Sequence, residues 1–257
     1  LLRGIIVQSG NDACIVVAEA LASSEAAFAE KMTVRAKELG LQNTVFKNAT
    51  GWPDPEHLTT AQDLALLAKR TITDFAEYYH YYAEKEFTYN TIRQINRNPL
   101  LYKNINADGL KTGHTMESEY GLTASATNGD RRLILVVNGL ATKKDRSREP
   151  ERLLHWGFRD FNNYRLFSAG EELTEADVWL GKEDKVPLVI EREMLLTIAR
   201  KARHKMKVTV TFENPIPAPI AKGDPVAKLV LTVPGRDKLE VPLLAGAAVE
   251  RLGLFGR

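Results

Sequence analysis

The chain has 257 residues and a net charge of +2, with 44% hydrophobic and 26% charged residues. That length can bury one or two cores, and so slight a positive excess gives no basis for a nucleic-acid partner. No apolar run reaches the roughly 18 residues of a membrane span. A lone cysteine, Cys14, excludes an intrachain disulfide, and the five histidines form no H-E-x-x-H or close pair, so neither a metal nor an organic cofactor is expected.

The opening residues read as the inside of a helix with no cap before them and no basic-then-apolar leader, the expectation for a piece of a longer chain. Apolar residues 5–7 lead to Ser9-Gly10-Asn11-Asp12, good helix-start residues whose side chains accept from free backbone N–H groups. Ala13 to Ala22 reads as a buried helix. A second helix spans Ser24 to Leu39 and stops at Gly40. The stretch Asn48-Ala49-Thr50-Gly51-Trp52-Pro53-Asp54-Pro55 is rich in breakers and reads as a loop. Thr60 and Asp63 form a capping pair for a helix over Ala61 to Thr71.

After a Tyr-rich stretch (Tyr78 to Tyr82) the pattern turns to strands. Phe87 to Ile95 alternates loosely, and Leu110 to Thr115 is a short strand. Leu122 to Thr127 and Arg132 to Val137 flank Asn128-Gly129-Asp130, and Asn-Gly between two strand-like runs is the strongest short-range hairpin signal. A helix is expected from Pro150 to Phe161. Beyond Tyr164 short β-rich runs take over, at Val186 to Ile190, Val208 to Phe212, Val226 to Val233 and Leu239 to Leu244. Their spacing predicts a small β-sandwich or barrel, with domains over 1–163 and 164–257.

Three features carry chemistry: Ser9-Gly10-Asn11 opening a helix, Lys111-Thr112-Gly113-His114-Thr115 on a strand, and Arg146 after the hairpin. Singly each has an ordinary reading, as a helix cap, a chance triplet and a surface cation. Together and in order they match acyl transfer by a serine enzyme, which needs a nucleophile, a base and donors for an oxyanion.

The penicillin-recognising enzymes meet that need with S-x-x-K, then S-x-N, then K-T-G. The second and third are present here. The stretches Val45 to Gly51, His57 to Ala65, Asp108 to Thr115 and Leu153 to Phe158 resemble the serine-type D-alanyl-D-alanine carboxypeptidases, the low-molecular-mass penicillin-binding proteins, and the likeness runs over nearly the whole chain. It implies an α+β fold. An incomplete penicillin-binding/β-lactamase-like domain, an antiparallel sheet with helices, would precede a small all-β sandwich. It implies removal of the terminal D-alanine from peptidoglycan stem pentapeptides through an acyl-enzyme, β-lactams as covalent inhibitors, and a place in the periplasm at the outer face of the cytoplasmic membrane.

The roles the resemblance implies can be set on particular residues. Ser9 would relay a proton toward the leaving D-alanine, and Asn11 would donate its amide to the carbonyl of the bound peptide. Lys111 would supply positive potential, and Thr112 would bind the substrate carboxylate. The backbone N–H of His114, after Gly113, would be one oxyanion donor. Arg146, and with it Arg97, would hold the terminal carboxylate with a planar fork of donors, although a plain surface salt bridge is an equal reading for Arg97. Cys14, on the helix after Ser9-Gly10-Asn11, reads as a small buried apolar residue.

No serine of the chain has a lysine three positions later, so the first motif is missing, and the amphipathic membrane-surface helix that usually ends these proteins is not among these 257 residues. The basic stretch Arg200, Lys201, Arg203, Lys205, Lys207 reads first as a solvated face. Two alternatives stand beside the carboxypeptidase: a β-lactamase-like hydrolase, for which the deacylating Glu in E-x-x-L-N is lacking, and a non-catalytic wall-binding homologue.

Overall fold

A computed structural model describes residues 1–253 in two compact units, Leu1–Phe158 and Arg159–Arg257. The division falls at the end of a helix, a few residues before the composition shift near Tyr164.

The first unit opens with a π-helical turn, Gly4–Gln8, which Ser9 ends at φ 58° and ψ 47°. That left-handed conformation is uncommon for a residue with a side chain. Helix α1 (Asn11–Leu21) follows, with Gly10 as its N-cap, so the Ser9 hydroxyl does not cap it. The sequence suggests a buried helix, but only Ala18 is buried, and Val16 and Leu21 are exposed. Helix α1 is apolar on every side, and its main contacts, helix α2 and the π-helical turn, cannot cover them all. Helix α2 (Glu25–Glu38) starts where Ser24 Oγ accepts from Ala27 N at 3.1 Å. Helix α3 (Ala61–Asp74) starts where Thr60 Oγ1 accepts from Asp63 N at 3.1 Å. The Asp63 carboxylate is buried and accepts from Asn43 N at 2.8 Å and Thr44 Oγ1 at 2.7 Å, tying the preceding loop to the helix.

Strands β1 (Glu86–Tyr89) and β2 (Ile92–Ile95) form a small hairpin. The main sheet is antiparallel and has three strands in the order β3 (Ala107–Thr115), β4 (Glu119–Asn128), β5 (Arg131–Leu140). Gly129, at φ 57°, makes the β4–β5 turn that Asn128-Gly129 predicts. Alternation along these strands gives the sheet two apolar faces. Leu122, Ala124, Ala126, Leu133 and Leu135 share a core with Leu154 and Phe158 of helix α4 (Lys143–Asp160). Leu110 and Ile134 pack with Ala68 and Ile72 of α3 and with Tyr79.

Helix α4 begins seven residues before the predicted start at Pro150. Thr142 caps it, its Oγ1 accepting from Asp145 N at 3.0 Å and donating to the Asp145 carboxylate at 2.6 Å. Pro150 therefore sits inside the helix, where its missing N–H leaves the carbonyl of Arg146 without an i+4 donor.

In the second unit a six-stranded sheet runs in the order β10 (Lys207–Thr211), β12 (Pro225–Thr232), β13 (Leu239–Ala245), β8 (Lys185–Ile190), β7 (Glu172–Trp179), β11 (Ile216–Pro217). Strands β6 (Phe161–Phe167) and β9 (Met194–Ala199) pair separately. The two sheets enclose one core, with Val186, Leu188, Leu229, Leu231 and Leu243 of the large sheet packed with Phe167 and Met194 of the small one.

Candidate active site

The loop at Ser9 and the strand at Lys111 meet. The Lys111 ammonium donates to Ser9 Oγ in a short hydrogen bond and to the carbonyl of Thr112 at 3.0 Å. Strand β3 carries Lys111 and Thr112 half-buried, while Gly113 and His114 are exposed toward its end. Because Ser9 is left-handed, the chain turns sharply between the π-helical turn and α1, which sets its hydroxyl outside both helices.

Among the described residues no carboxylate offsets the Lys111 charge. Burial, and then the positive charge of Arg97, lower its pKa from the ordinary 10.5 to about 8, with the Cys14 thiol acting the other way and Arg146 lowering it further by a smaller amount. The thiol itself is pushed up, by burial first, against the pull of Lys111. Cys14 thus lies near Lys111 as a protonated thiol rather than a poised thiolate.

Arg146 reaches the site from the first turn of α4. It is 8% exposed. Its Nη1 donates to the carbonyl of Gly113 at 3.3 Å, its Nε is buried with no partner, and its guanidinium lies over the ring of Tyr120, 5.2 Å from the centroid. Burial lowers its pKa, with Tyr120 opposing and Arg97 adding to the effect. Arg97 is exposed, and its positive charge lowers the pKa of both Lys111 and Arg146.

The structure therefore brings together Ser9, Lys111, Thr112, Gly113 and Arg146, with Arg97 close enough to act by charge. His114 joins through Tyr120, against whose ring it stacks at 4.1 Å. Asn11 is exposed at the first residue of α1, two residues from Ser9. Tyr120 is the residue that sequence reasoning missed. It sits opposite His114 in the β3–β4 register, across a hairpin turn (116–118) with no Asn-Gly or Asp-Gly signal.

Behind the site Tyr79 donates to Asp108 at 3.0 Å, and Arg132 pairs with the same carboxylate at 2.7 Å and with Ser125 Oγ at 2.6 Å. This network fixes the start of β3. Gly109 lies beneath the Tyr79 hydroxyl, and a Cβ there would meet that oxygen at 2.6 Å.

Such a cluster can stabilise an anion and move a proton. It holds a cation on a hydroxyl, a second buried cation without a counter-ion, and a strand whose exposed end can present backbone N–H groups.

Comparison with known proteins agrees with that chemistry. Residues 1–142 match the family described as D-alanyl-D-alanine carboxypeptidase, and residues 161–251 match the penicillin-binding protein 5 C-terminal domain. The chain is 42% identical to D-alanyl-D-alanine carboxypeptidase DacC of Escherichia coli over 259 residues, covering all of this chain and 65% of that protein. The structure of penicillin binding protein 5 from Haemophilus influenzae, 38% identical, superposes with a TM-score of 0.81, covering 97% of this chain and 73% of that one. That of the carboxypeptidase DacD from Francisella tularensis, 28% identical, gives a TM-score of 0.85 over 97% of this chain and 74% of that one. The chain spans about two thirds of the length of the curated relatives it matches.

Proposed function

Since the chain belongs to the D-alanyl-D-alanine carboxypeptidase family, we propose that it forms most of a serine carboxypeptidase that removes the terminal D-alanine of peptidoglycan pentapeptides and is acylated by penicillin. The observation that carries this reading is the Lys111 ammonium on the Ser9 hydroxyl beside a buried Arg146 that lacks a counter-ion.

The nucleophilic serine belongs to an S-x-x-K motif that this chain does not contain, and the greater length of the relatives leaves room for it elsewhere in the whole protein. Its hydroxyl attacks the carbonyl carbon of the penultimate D-alanine. The C–N bond breaks, the leaving amine takes a proton through Ser9, and water then hydrolyses the ester. Lys111 keeps positive potential on the Ser9 oxygen while that proton moves. The backbone N–H of His114 donates to the developing oxyanion, and Asn11 donates its amide to the peptide carbonyl. Thr112, Arg146 and Arg97 bind the terminal carboxylate that makes the substrate a C-terminal peptide.

Residues 1–163 carry this chemistry, and 164–257 form an accessory β-domain. The enzyme acts on the wall side of the cytoplasmic membrane, in the periplasm, held there by an amphipathic helix beyond Arg257. The test is release of free D-alanine from an N-acylated D-alanyl-D-alanine peptide by the whole protein. Steady release supports the reading, and none at any pH between 6 and 9 ends it.

A further inference from the structure

Resting on that reading, we infer that Tyr120 is a positioning residue that holds Arg146 and His114 as one stack, and that its aromatic ring sets affinity for the substrate's terminal carboxylate.

Arg146 is a buried cation with no carboxylate paired to it among the described residues. Nη1 reaches only the Gly113 carbonyl, at 3.3 Å, and Nε reaches nothing. An arrangement of this kind is costly unless something compensates the lost hydration. Among the described residues, the group that does so besides the Gly113 carbonyl is the face of Tyr120, 5.2 Å from the guanidinium carbon. The other interaction of the same ring is with His114, at 4.1 Å and 39° between planes. Tyr120 and His114 are direct cross-strand partners, and Gly113, which accepts from Arg146, is the next residue along β3. One ring thus ties the carboxylate-binding cation to the strand that carries the oxyanion donor.

The ring can do this without its hydroxyl, because only the π face is used. An aliphatic side chain at the same place would leave Arg146 free to swing, or to take a water as partner, and substrate binding would then have to displace it.

In the whole protein, Tyr120→Leu is expected to raise KM for a D-alanyl-D-alanine peptide roughly tenfold, with kcat within about twofold of wild type. Tyr120→Phe is expected to restore wild-type KM. The same peptide carrying a C-terminal amide, used as a competitive inhibitor, should bind Tyr120→Leu and wild type alike. A general structural role would weaken acid and amide together. The inference is overturned if acid and amide weaken equally, if Tyr120→Phe is as impaired as Tyr120→Leu, or if neither substitution changes KM. Those outcomes leave the carboxypeptidase reading intact. A wild-type protein that releases no D-alanine overturns both.

Discussion

Lys111 and Ser9, 102 positions apart in the chain, share a hydrogen bond in which a half-buried ammonium has, among the described residues, a hydroxyl and a carbonyl as its acceptors. Burial and the neighbouring positive charges disfavour its charged form.

The charged form of Lys111 is the one that stabilises the proton relay, and its pKa lies at about 8. Carboxypeptidase kcat/KM is therefore expected to fall as pH rises through about 8, and Lys111→Arg should move that inflection upward. Stability runs the other way. The folded pKa lies below the ordinary 10.5, so the unfolded chain binds more protons between about 8 and 10.5, and stability gained from deprotonation grows with pH in that window. Wild type should thus gain stability over Lys111→Met between pH 8 and 10.5 in parallel urea titrations, and a constant gap would contradict this.

Arg146 is expected to act on both substrate and Lys111. Losing a charged fork on a carboxylate costs about 1.5–3 kcal/mol, or roughly 10- to 100-fold in KM. Arg146→Met should show this loss in steady-state kinetics and, by removing a positive neighbour, should raise the pH of the Lys111 inflection. Arg146→Lys should keep the inflection while losing affinity, because a point charge cannot supply two parallel donors.

Asp63 ties helix α3 to the loop before it through a half-buried hydrogen bond from Asn43 N and a buried one from Thr44 Oγ1. Asp63→Ala leaves the Asn43 N–H without its acceptor, while the Thr44 hydroxyl keeps Thr59 Oγ1 at 2.9 Å, and should lower unfolding free energy by about 1–3 kcal/mol, measured by urea denaturation.

Gly109 tests the network behind the site. In Gly109→Ala the new methyl group meets the Tyr79 hydroxyl at 2.6 Å, which should cost about 1–3 kcal/mol. Removing that oxygen relieves the clash, so Gly109→Ala/Tyr79→Phe should be more stable than the sum of the two single changes predicts, as read by a double-mutant cycle of melting curves.

Local chemistry was legible where one residue forces one conformation. Ser24, Thr60 and Gly40 mark helix ends, and Asn128-Gly129 marks a hairpin. Helix α4 was misjudged because Pro150 favours a first turn, whereas the Thr142–Asp145 cap starts the helix earlier and tolerates the proline inside. Strands β6 and β9 escaped notice because they pair with each other across some thirty residues and carry a register shift near Arg165. Ser9, Lys111 and Arg146 were legible one by one, but their meeting rests on long-range contacts, Lys111 with Ser9 and Arg146 with the Gly113 carbonyl, that no local pattern encodes. Tyr120 lay hidden for the same reason, since its importance comes from what lies across the strand and above its ring.

Ser9 and Lys111 are expected to act as a unit, and acylation of the whole protein by a fluorescent penicillin measures that most directly. With wild type, Ser9→Ala, Lys111→Ala and the double variant compared, residues that serve one proton path give strongly non-additive losses. The double variant should acylate about as slowly as the worse single variant. Fully additive losses, or wild-type acylation rates in either single variant, would contradict it.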